Sequence, residues 1–255
     1  MFTDMAAFLG SYERRPLSAT ADQLANSLRS WNVSRIFAGR IDHLRMDNTH
    51  SADLPESPMT FQGITVHTVP VIDPTIRTWQ EQAELHLKAG NGRLPIIRLH
   101  PGHHGYRLTQ TPSLEELVKW AHEHGTVIQI FVNLDDTRRQ HAAGQIPDVP
   151  VNEIAKFADQ FRHQPFLISG ALFGALKSLD SNHPENLWAD TARIEGGLAI
   201  PTLFDLGWRD RLVFASHAPI LIAHSAIARV LTDINDSDAN RIFQKNAENL
   251  LSLNN

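Results

Sequence analysis

Residues 113–132 read SLEELVKWAHEHGTVIQIFV, a helical pattern followed directly by a strand pattern. Ser113 to Glu116 has the spacing of a capping box, and apolar residues follow it at helical intervals. Gly125 stands where a glycine commonly ends a helix. Val127 to Val132 is a nearly continuous apolar run, which suits a parallel strand covered by helices. The stretch therefore predicts one helix–strand unit of an alternating α/β fold.

Similar units recur along the chain. Eight apolar runs are predicted as strands: Phe2 to Phe8, Arg35 to Gly39, Val66 to Val71, Ile96 to His100, Val127 to Val132, Phe166 to Gly170, Leu187 to Asp190 and Leu212 to Ser216. Helical patterns are also predicted at Thr20 to Trp31 with Thr20 as cap, at Val151 to Phe161, at Gly197 to Leu206 and at Asp236 to Leu251. The alternation is compatible with a doubly wound sheet, but eight strands in 255 residues favour a closed (β/α)₈ TIM barrel. No low-complexity linker divides the chain, so we expect one domain over residues 1–255.

The composition excludes several classes of site and partner. The net charge is −5 and the basic residues are scattered, so we expect no nucleic-acid partner. The absence of cysteine excludes disulfides, thiolate nucleophiles and thiolate zinc sites. Without a signal-peptide pattern or an apolar run of about 18 residues, we expect a cytoplasmic protein with no membrane partner. A small-molecule substrate is the expected partner, and a homo-oligomer is left open.

Two connections are long and irregular, at residues 40–62 and 133–150. Both follow predicted strand ends, which in a barrel meet at the catalytic face. Long loops in a compact domain are often functional. The alternative is that both segments are surface loops without a function.

The densest group of chemically active side chains follows the fourth predicted strand, where residues 98–106 read RLHPGHHGY. Arg98 and His100 are predicted to face the barrel interior, whereas His103, His104 and Tyr106 fall on the loop. Imidazole near neutral pH is a general acid or base, or a neutral metal ligand. The alternative is that these histidines only bond loop backbone.

Polar residues also follow other strands. His217, after Ser216 at the eighth strand end, is a candidate base or an ordinary loop histidine. Asp136 and Arg138 follow the fifth strand, where they form either a substrate-binding pair or a solvated salt bridge. The candidate catalytic residues are His100, His104, His217, Tyr106 and Asp190. The candidate substrate-binding residues are Arg98, Gln129, Asp136 and Arg138. A weaker metal set comprises His100, His104, His217 and Asp4.

Several of these segments together resemble the amidohydrolase-related barrels that include aminocarboxymuconate-semialdehyde decarboxylase and dicarboxylate lactonases. The resemblance covers essentially the whole chain. It is carried at the start by Asp4 with GSY at 10–12 and RP at 15–16, and in the middle by RLHP at 98–101 with HGY at 104–106. The later segments are DDTR at 135–138, FASHAP at 214–219, IF at 242–243, Asn246 and LL at 250–251.

The resemblance implies a barrel hydrolase or lyase with one divalent metal, usually zinc. Its ligands would be an HxH pair on strand one, histidines near strands five and six, and an aspartate after strand eight. The corresponding positions here hold Ala6 and Phe8, Gln129, Ser169 with Gly170, and His217. Losing the whole set does not leave the usual zinc site in place.

Three hypotheses follow. The first is a divergent hydrolase or lyase of small acidic or cyclic substrates, with no metal or with one divalent metal at a new position. In it, His100 and His104 act as acid or base, and His217 is a second base or a metal ligand. Arg98 or Arg138 holds a substrate carboxylate, and Tyr106 donates to a developing oxyanion. The second is a catalytically retired barrel that binds a small molecule or protein. The third is a relocated metal site, most simply zinc, formed by the weaker metal set.

Overall fold

The computed structural model describes residues 1–12, 14–45 and 57–253. Its strands are β1 (Phe2–Tyr12), β2 (Leu17–Ala19), β3 (Val33–Arg40), β4 (Met59–Phe61), β5 (Ile64–Val69), β6 (Ile96–Leu99), β7 (Val127–Phe131), β8 (Phe166–Ser169), β9 (Leu187–Asp190) and β10 (Leu212–Val213). Its α-helices are α1 (Ala21–Leu28), α2 (Trp79–Ala89), α3 (Pro101–His104), α4 (Ser113–Glu123), α5 (Val151–Gln160), α6 (Phe173–Lys177), α7 (Ala199–Leu203), α8 (Ala223–Asp233), α9 (Asp236–Asn240) and α10 (Asn246–Ser252).

Eight of these strands form the wall of a (β/α)₈ barrel, as the sequence predicts. β1, β3 and β5 pair in parallel, and so do β6, β7, β8, β9 and β10. Backbone hydrogen bonds from Met5 to Phe214 (2.9 Å) and from His217 to Ala6 (2.8 Å) join the last strand to the first.

The remaining joint, between β5 and β6, is made beyond the end of β5. There Val71 forms a parallel bridge with Arg98. The Arg98 amide donates to Pro70 and the Ile72 amide to Arg98, each at 2.9 Å. The N-terminal halves of β5 and β6 are not paired with each other, so the barrel wall has a seam at this place.

Alternate residues of each strand face inward or outward, as in any strand. The outward residues pack against the helices in the largest apolar cluster, which includes Ile97, Leu99, Ile128, Ile130 and Ile168. Inside, an apolar layer closes the N-terminal end of the barrel, and it contains Met5, Val69, Ile96, Val127, Leu167, Trp188 and Val213. A second interior cluster lies toward the C-terminal end of the strands and includes Phe8, Tyr12, Phe131, Leu134 and Ile220. Polar side chains lie between the two.

Two helix predictions have different outcomes. Thr20 caps α1 as predicted, since its side chain accepts from the Gln23 amide and Gln23 bonds back to Thr20. The capping box at Ser113 is wrong. Ser113 is already the first residue of α4, and Pro112 in helical conformation precedes it without a side-chain cap.

The structure adds elements to the predicted loops. β2 turns back on the end of β1 as an antiparallel hairpin, and β4 does the same beside β5. Of the irregular segment 40–62, residues 46–56 lie outside the described residues. Segment 133–150 holds two short 3₁₀ turns. Within the described ranges, no helix is long and apolar enough to cross a membrane.

Candidate active site

Arg98 lies at the centre of the barrel and its side chain is fully buried. Nε donates to Gln129 Oε1 at 2.6 Å, Nη1 to the Ala7 carbonyl at 2.8 Å and Nη2 to the Phe37 carbonyl at 2.9 Å. Burial lowers the pKa of Arg98 to about 9, although Asp4 and Asp190 oppose the shift. Because its donors are directed at protein acceptors, Arg98 ties four strands together. This geometry does not support the prediction that Arg98 binds a substrate carboxylate.

Gln129 belongs to the same internal network. Its amide nitrogen donates to Ser169 Oγ at 2.7 Å and to the Met5 carbonyl at 3.2 Å. Both ends of the amide are thus bonded to the protein, and the side chain is fully buried. The structure uses Gln129 as a bridge between β7, β8 and β1, although it was predicted to bind substrate.

Asp4 is bonded to Ser216 across the joint between the last and first strands. The Ser216 hydroxyl donates to Oδ2 at 2.5 Å and the Ser216 amide to Oδ1 at 3.0 Å. Burial raises the pKa of Asp4 to about 6, against the opposing effect of these hydrogen bonds. The carboxyl group that was considered as a metal ligand is therefore held by a serine.

His217 and Asp190 form a buried dyad. Asp190 Oδ2 lies 3.0 Å from His217 Nε2. The other carboxylate oxygen accepts from the Gly170 amide at 3.3 Å and the Ala192 amide at 3.1 Å. Burial alone would raise the pKa of Asp190, but the charge and hydrogen bonds of its neighbours, His217 first, lower it overall. Because a carboxylate only accepts, the hydrogen bond comes from His217 Nε2–H, and the other ring nitrogen, Nδ1, is buried without a partner.

His100 is only 1% exposed, and neither of its ring nitrogens has a hydrogen-bond partner. Its ring stacks on Phe131 with centroids 4.5 Å apart, and Phe131 in turn lies 5.3 Å from the His217 ring. Burial, reinforced by the neighbouring histidines and Arg98, holds the pKa of His100 well below its usual range. His100 is therefore a neutral imidazole, and His217 belongs to the dyad with Asp190. Both rings contact Phe131.

His104 and Tyr106 lie beside each other, with ring centroids 6.3 Å apart. His104 Nε2 donates to the Leu44 carbonyl at 2.9 Å, which leaves Nδ1 as an unpartnered lone pair. Burial lowers the pKa of His104 despite Asp73 and the Leu44 bond. The buried Tyr106 hydroxyl also has no partner, and burial together with Asp73 raises the pKa of Tyr106 well above its usual range. Its ring belongs to the cluster between strands and helices, outside the barrel interior.

Asp136 and Arg138 bond to each other at the surface. Arg138 Nη2 lies 2.6 Å from Asp136 Oδ2, and the Arg138 side chain is 87% exposed. The solvated salt bridge that the sequence left open is thus what the structure contains.

A cleft at the C-terminal end of the strands contains two arginines that were not predicted as site residues. Its volume is about 620 Å³, and its lining includes Arg14, Arg15, Asp135, Gln140 and His141. Arg15 pairs with Asp135 and donates to the Ile220 carbonyl at 3.2 Å, so it links the turn after β1 to the ends of β7 and β10. Two sequence signals pointed to this place, the adjacent arginines at 14–15 and the RP at 15–16 that contributes to the resemblance.

The residues at the usual metal position do not fit a metal. Phe8 places an apolar ring there, 5.5 Å from the Phe131 ring and 5.2 Å from the guanidinium carbon of Arg98. A cation would thus have an arginine as its neighbour. Among the described residues, no group of three or more His, Cys, Asp or Glu could hold a metal ion. His100, His104, His217 and Asp4 do not converge into one.

The sequence matches no family model and no curated protein. The structure, in contrast, is similar to several solved enzymes. The 5-carboxyvanillate decarboxylase from Sphingomonas paucimobilis has a TM-score of 0.74 with 11% identity over 98% of each chain. The 5-carboxyvanillate decarboxylase from Novosphingobium aromaticivorans, solved with manganese, has a TM-score of 0.70 with 12% identity over 98% of this chain and 97% of that one. The 2,6-dihydroxybenzoate decarboxylase from Rhizobium has a TM-score of 0.66 with 10% identity over 99% of this chain and 100% of that one. At such low identity, the likeness establishes the fold: this chain is a (β/α)₈ barrel built like those of these decarboxylases.

Proposed function

We propose that the protein is a hydrolase or lyase that acts on a small acidic or cyclic substrate at the C-terminal mouth of the barrel, without the usual metal of the barrels it resembles. The observation that carries the proposal is a cluster of buried polar atoms without partners: both nitrogens of His100, Nδ1 of His104, Nδ1 of His217 and the hydroxyl of Tyr106. An unpaired buried polar group costs free energy. Other atoms of this kind are scattered through the described chain, among them Trp31 Nε1 and Gln164 Oε1, whereas these five belong to three histidines and a tyrosine that follow β6 and β10.

The dyad supplies the base in this proposal. Asp190 fixes the tautomer of His217, so that Nδ1 is free to accept a proton, and the carboxylate stabilises the imidazolium that results. The carboxylate of a Ser-His-Asp triad plays the same part toward its histidine. His104, whose Nε2 is fixed by Leu44, offers a second lone pair of the same kind. Tyr106 remains an O–H donor across the working pH range, but its ring packs outside the barrel interior, so we propose no contact between Tyr106 and the substrate.

The cleft of Arg14 and Arg15 supports an acidic substrate. Guanidinium groups match carboxylates geometrically, and both arginines line this cleft at the C-terminal end of the strands. Arg15 is paired with Asp135, and Arg14 donates to Gln140 Oε1 and to the Gly144 carbonyl, so a substrate carboxylate would compete with these protein acceptors. The solved decarboxylases of this fold act on aromatic carboxylates, as their names state. Aromatic acids are therefore the first substrates to test.

A second candidate function is a barrel that binds a ligand without turning it over. It is favoured by the burial of His100 and His217, each only 1% exposed, and by the structural bonding of Arg98 and Asp4. Binding of an aromatic acid without turnover would identify this alternative.

Single substitutions at the mouth test the proposal. A panel of aromatic carboxylates and cyclic esters is screened with protein kept in chelator, and kcat/KM is then measured on the best substrate. We expect His217→Ala and His104→Ala each to lower kcat/KM by about 10²- to 10⁴-fold, the usual cost of a lost general acid or base.

His122→Ala is the matched control, because His122 is exposed on α4 and has no part in the cluster. Thermal unfolding of each variant checks the fold. Unchanged activity in both mouth variants, or activity that appears only when a divalent metal is added, would refute the proposed mechanism.

A further inference from the structure

A second cavity, of about 550 Å³, lies at the seam between β5 and β6, near the N-terminal end of the barrel. β5 contributes His67 and Thr68, and the segment that precedes β6 contributes Arg93, Leu94 and Pro95. The candidate active site is at the other end of the strands. The volume is in the range typical of small-molecule sites.

The lining of this cavity is basic although the protein carries a net charge of −5. Two arginines and three histidines line it, and none of the lining residues is acidic: Arg35, Phe37, Ser57, Pro58, His67, Thr68, His86, Gly90, Gly92, Arg93, Leu94, Pro95, His124, Gly125 and Leu251. Among the described residues, the acidic group that raises the pKa of Arg35 is Glu248, in α10 outside the lining.

Several donors in the cavity are not used by the protein. Within the described residues, the Arg93 side chain makes no hydrogen bond or ion pair, and that of Arg35 makes a single long one, 3.3 Å to Thr3 Oγ1. The Thr68 hydroxyl is buried and has no partner. His67 stacks flat on Phe37 with centroids 4.7 Å apart, so its ring is held in place.

We propose that this cavity is a binding site for a small anion, with carboxylate or phosphate groups held by Arg35 and Arg93. Burial lowers the pKa of His67 and of His86 to about 4, so both imidazoles are neutral N–H donors near pH 7. The fixed positive charge then comes from the two guanidinium groups, and the neutral donors complete the anion's hydrogen bonds. The site is independent of the chemistry proposed for the mouth.

Isothermal titration calorimetry of the full chain at pH 7.5 and low salt tests the site. The probes are inorganic phosphate and isophthalate, with the uncharged isophthalamide as ligand control. We expect at least one anion to bind and isophthalamide not to bind. Arg93→Gln and Arg35→Gln should each weaken binding at least about tenfold, since a hydrogen bond to a charged group is commonly worth that factor.

Arg162→Gln is the matched control. Arg162 follows α5 just before β8, at the same end of the barrel, but it is exposed and paired with Asp159 at 2.6 Å. Binding of phosphate alone would identify a phosphate site, and binding of isophthalate alone a carboxylate site.

Three outcomes would overturn the proposal: binding of neither anion, binding that Arg35→Gln and Arg93→Gln leave unchanged, or an equal loss in Arg162→Gln. Arg93 is exposed, so its variant remains decisive if Arg35→Gln does not fold.

Discussion

Asp4 and Arg98 show how single side chains adapt to the inside of this barrel. Both are fully buried, and both are satisfied by neighbouring strands, Asp4 by Ser216 and Arg98 largely by backbone carbonyls. Burial disfavours the charged form of each, so the pKa of Asp4 rises while that of Arg98 falls. Such shifts make the stability of the whole molecule depend on pH.

Asp4→Asn should reveal that dependence. The pKa of Asp4 is raised from 3.8 to about 6 in the folded protein, so the folded state retains a proton that the unfolded state has already lost. The stabilisation is complete below pH 3.8 and is lost as the pH rises through 6. It amounts to about 3 kcal/mol at 1.36 kcal/mol per pKa unit. Denaturant unfolding of both proteins from pH 4 to 7 measures it.

The comparison with the variant matters because other groups act in the opposite direction. The pKa values of His67 and His86 are lowered to about 4, so their contribution is lost as the pH falls below 6.5. These contributions cancel in the difference between wild type and variant. A difference that stays constant across this pH range would contradict the expected ionisation of Asp4.

Gly39 tests how tightly the Arg98 guanidinium is held. A Cβ atom at Gly39 would lie 2.5 Å from Arg98 Nη1, and the guanidinium cannot move without losing its bonds to the Ala7 and Phe37 carbonyls. We expect Gly39→Ala to lower the free energy of unfolding by about 1–3 kcal/mol, as overpacking of a core does. Gly174→Ala is the control, since Gly174 lies in α6 and a Cβ there meets nothing within 4 Å. It should be neutral or stabilising by up to about 1 kcal/mol. Equal effects of the two substitutions would show that the Arg98 side chain can shift at little cost in free energy.

At the scale of elements, the two helix starts that look alike in sequence differ in the structure. Thr20 and Gln23 bond to each other's backbone amides at the start of α1, whereas Ser113 makes no cap. The Pro112 before it is itself helical, with φ −59° and ψ −37°, so the helix begins earlier than the sequence pattern indicates. Sequence spacing alone does not reveal the conformation of the residue at the cap position.

We therefore expect Thr20→Ala to lower the free energy of unfolding by about 1 kcal/mol, the usual value of an N-cap. Ser113→Ala should change it by less than about 0.5 kcal/mol, because no cap bond is lost. Chemical denaturation of the two variants measures both values. A larger loss for Ser113→Ala than for Thr20→Ala would reverse the assignment of the caps.

All eight barrel strands were predictable, because each is a compact apolar run. β2 and β4 were not, since each has only three residues. α2 was also missed, and its buried face explains why: it includes the polar Gln82 and His86.

For the candidate site, the sequence located His100, His104 and His217 at strand ends, but it could not assign their partners. The bonds of Arg98 and the pairing of Arg15 with Asp135 depend on which strands face each other across the barrel. That information exists only after the barrel has closed.

At the scale of the whole molecule, the organisation into one domain stays a prediction. The strand joints support it, because β1 is hydrogen-bonded to segments at both ends of the chain, Asn32 next to β3 and Phe214 after β10. We expect a single calorimetric transition over residues 1–255, with a heat-capacity increment of roughly 3–4 kcal/mol/K. Differential scanning calorimetry measures it, and equal calorimetric and van't Hoff enthalpies would indicate one cooperative unit. Two resolved transitions would mean that the chain folds as two units.

The seam between β5 and β6 affects where the barrel opens locally in the native state. Its two backbone bonds, both at Arg98, are fewer than the continuous ladders between β6, β7 and β8 provide. Amide protons exchange with solvent through the openings that cost least, and those fall where the fewest bonds must break together. Deuterium should therefore enter β5 and the start of β6 before it enters β7, and the barrel would open there as a split ring rather than by losing a strand.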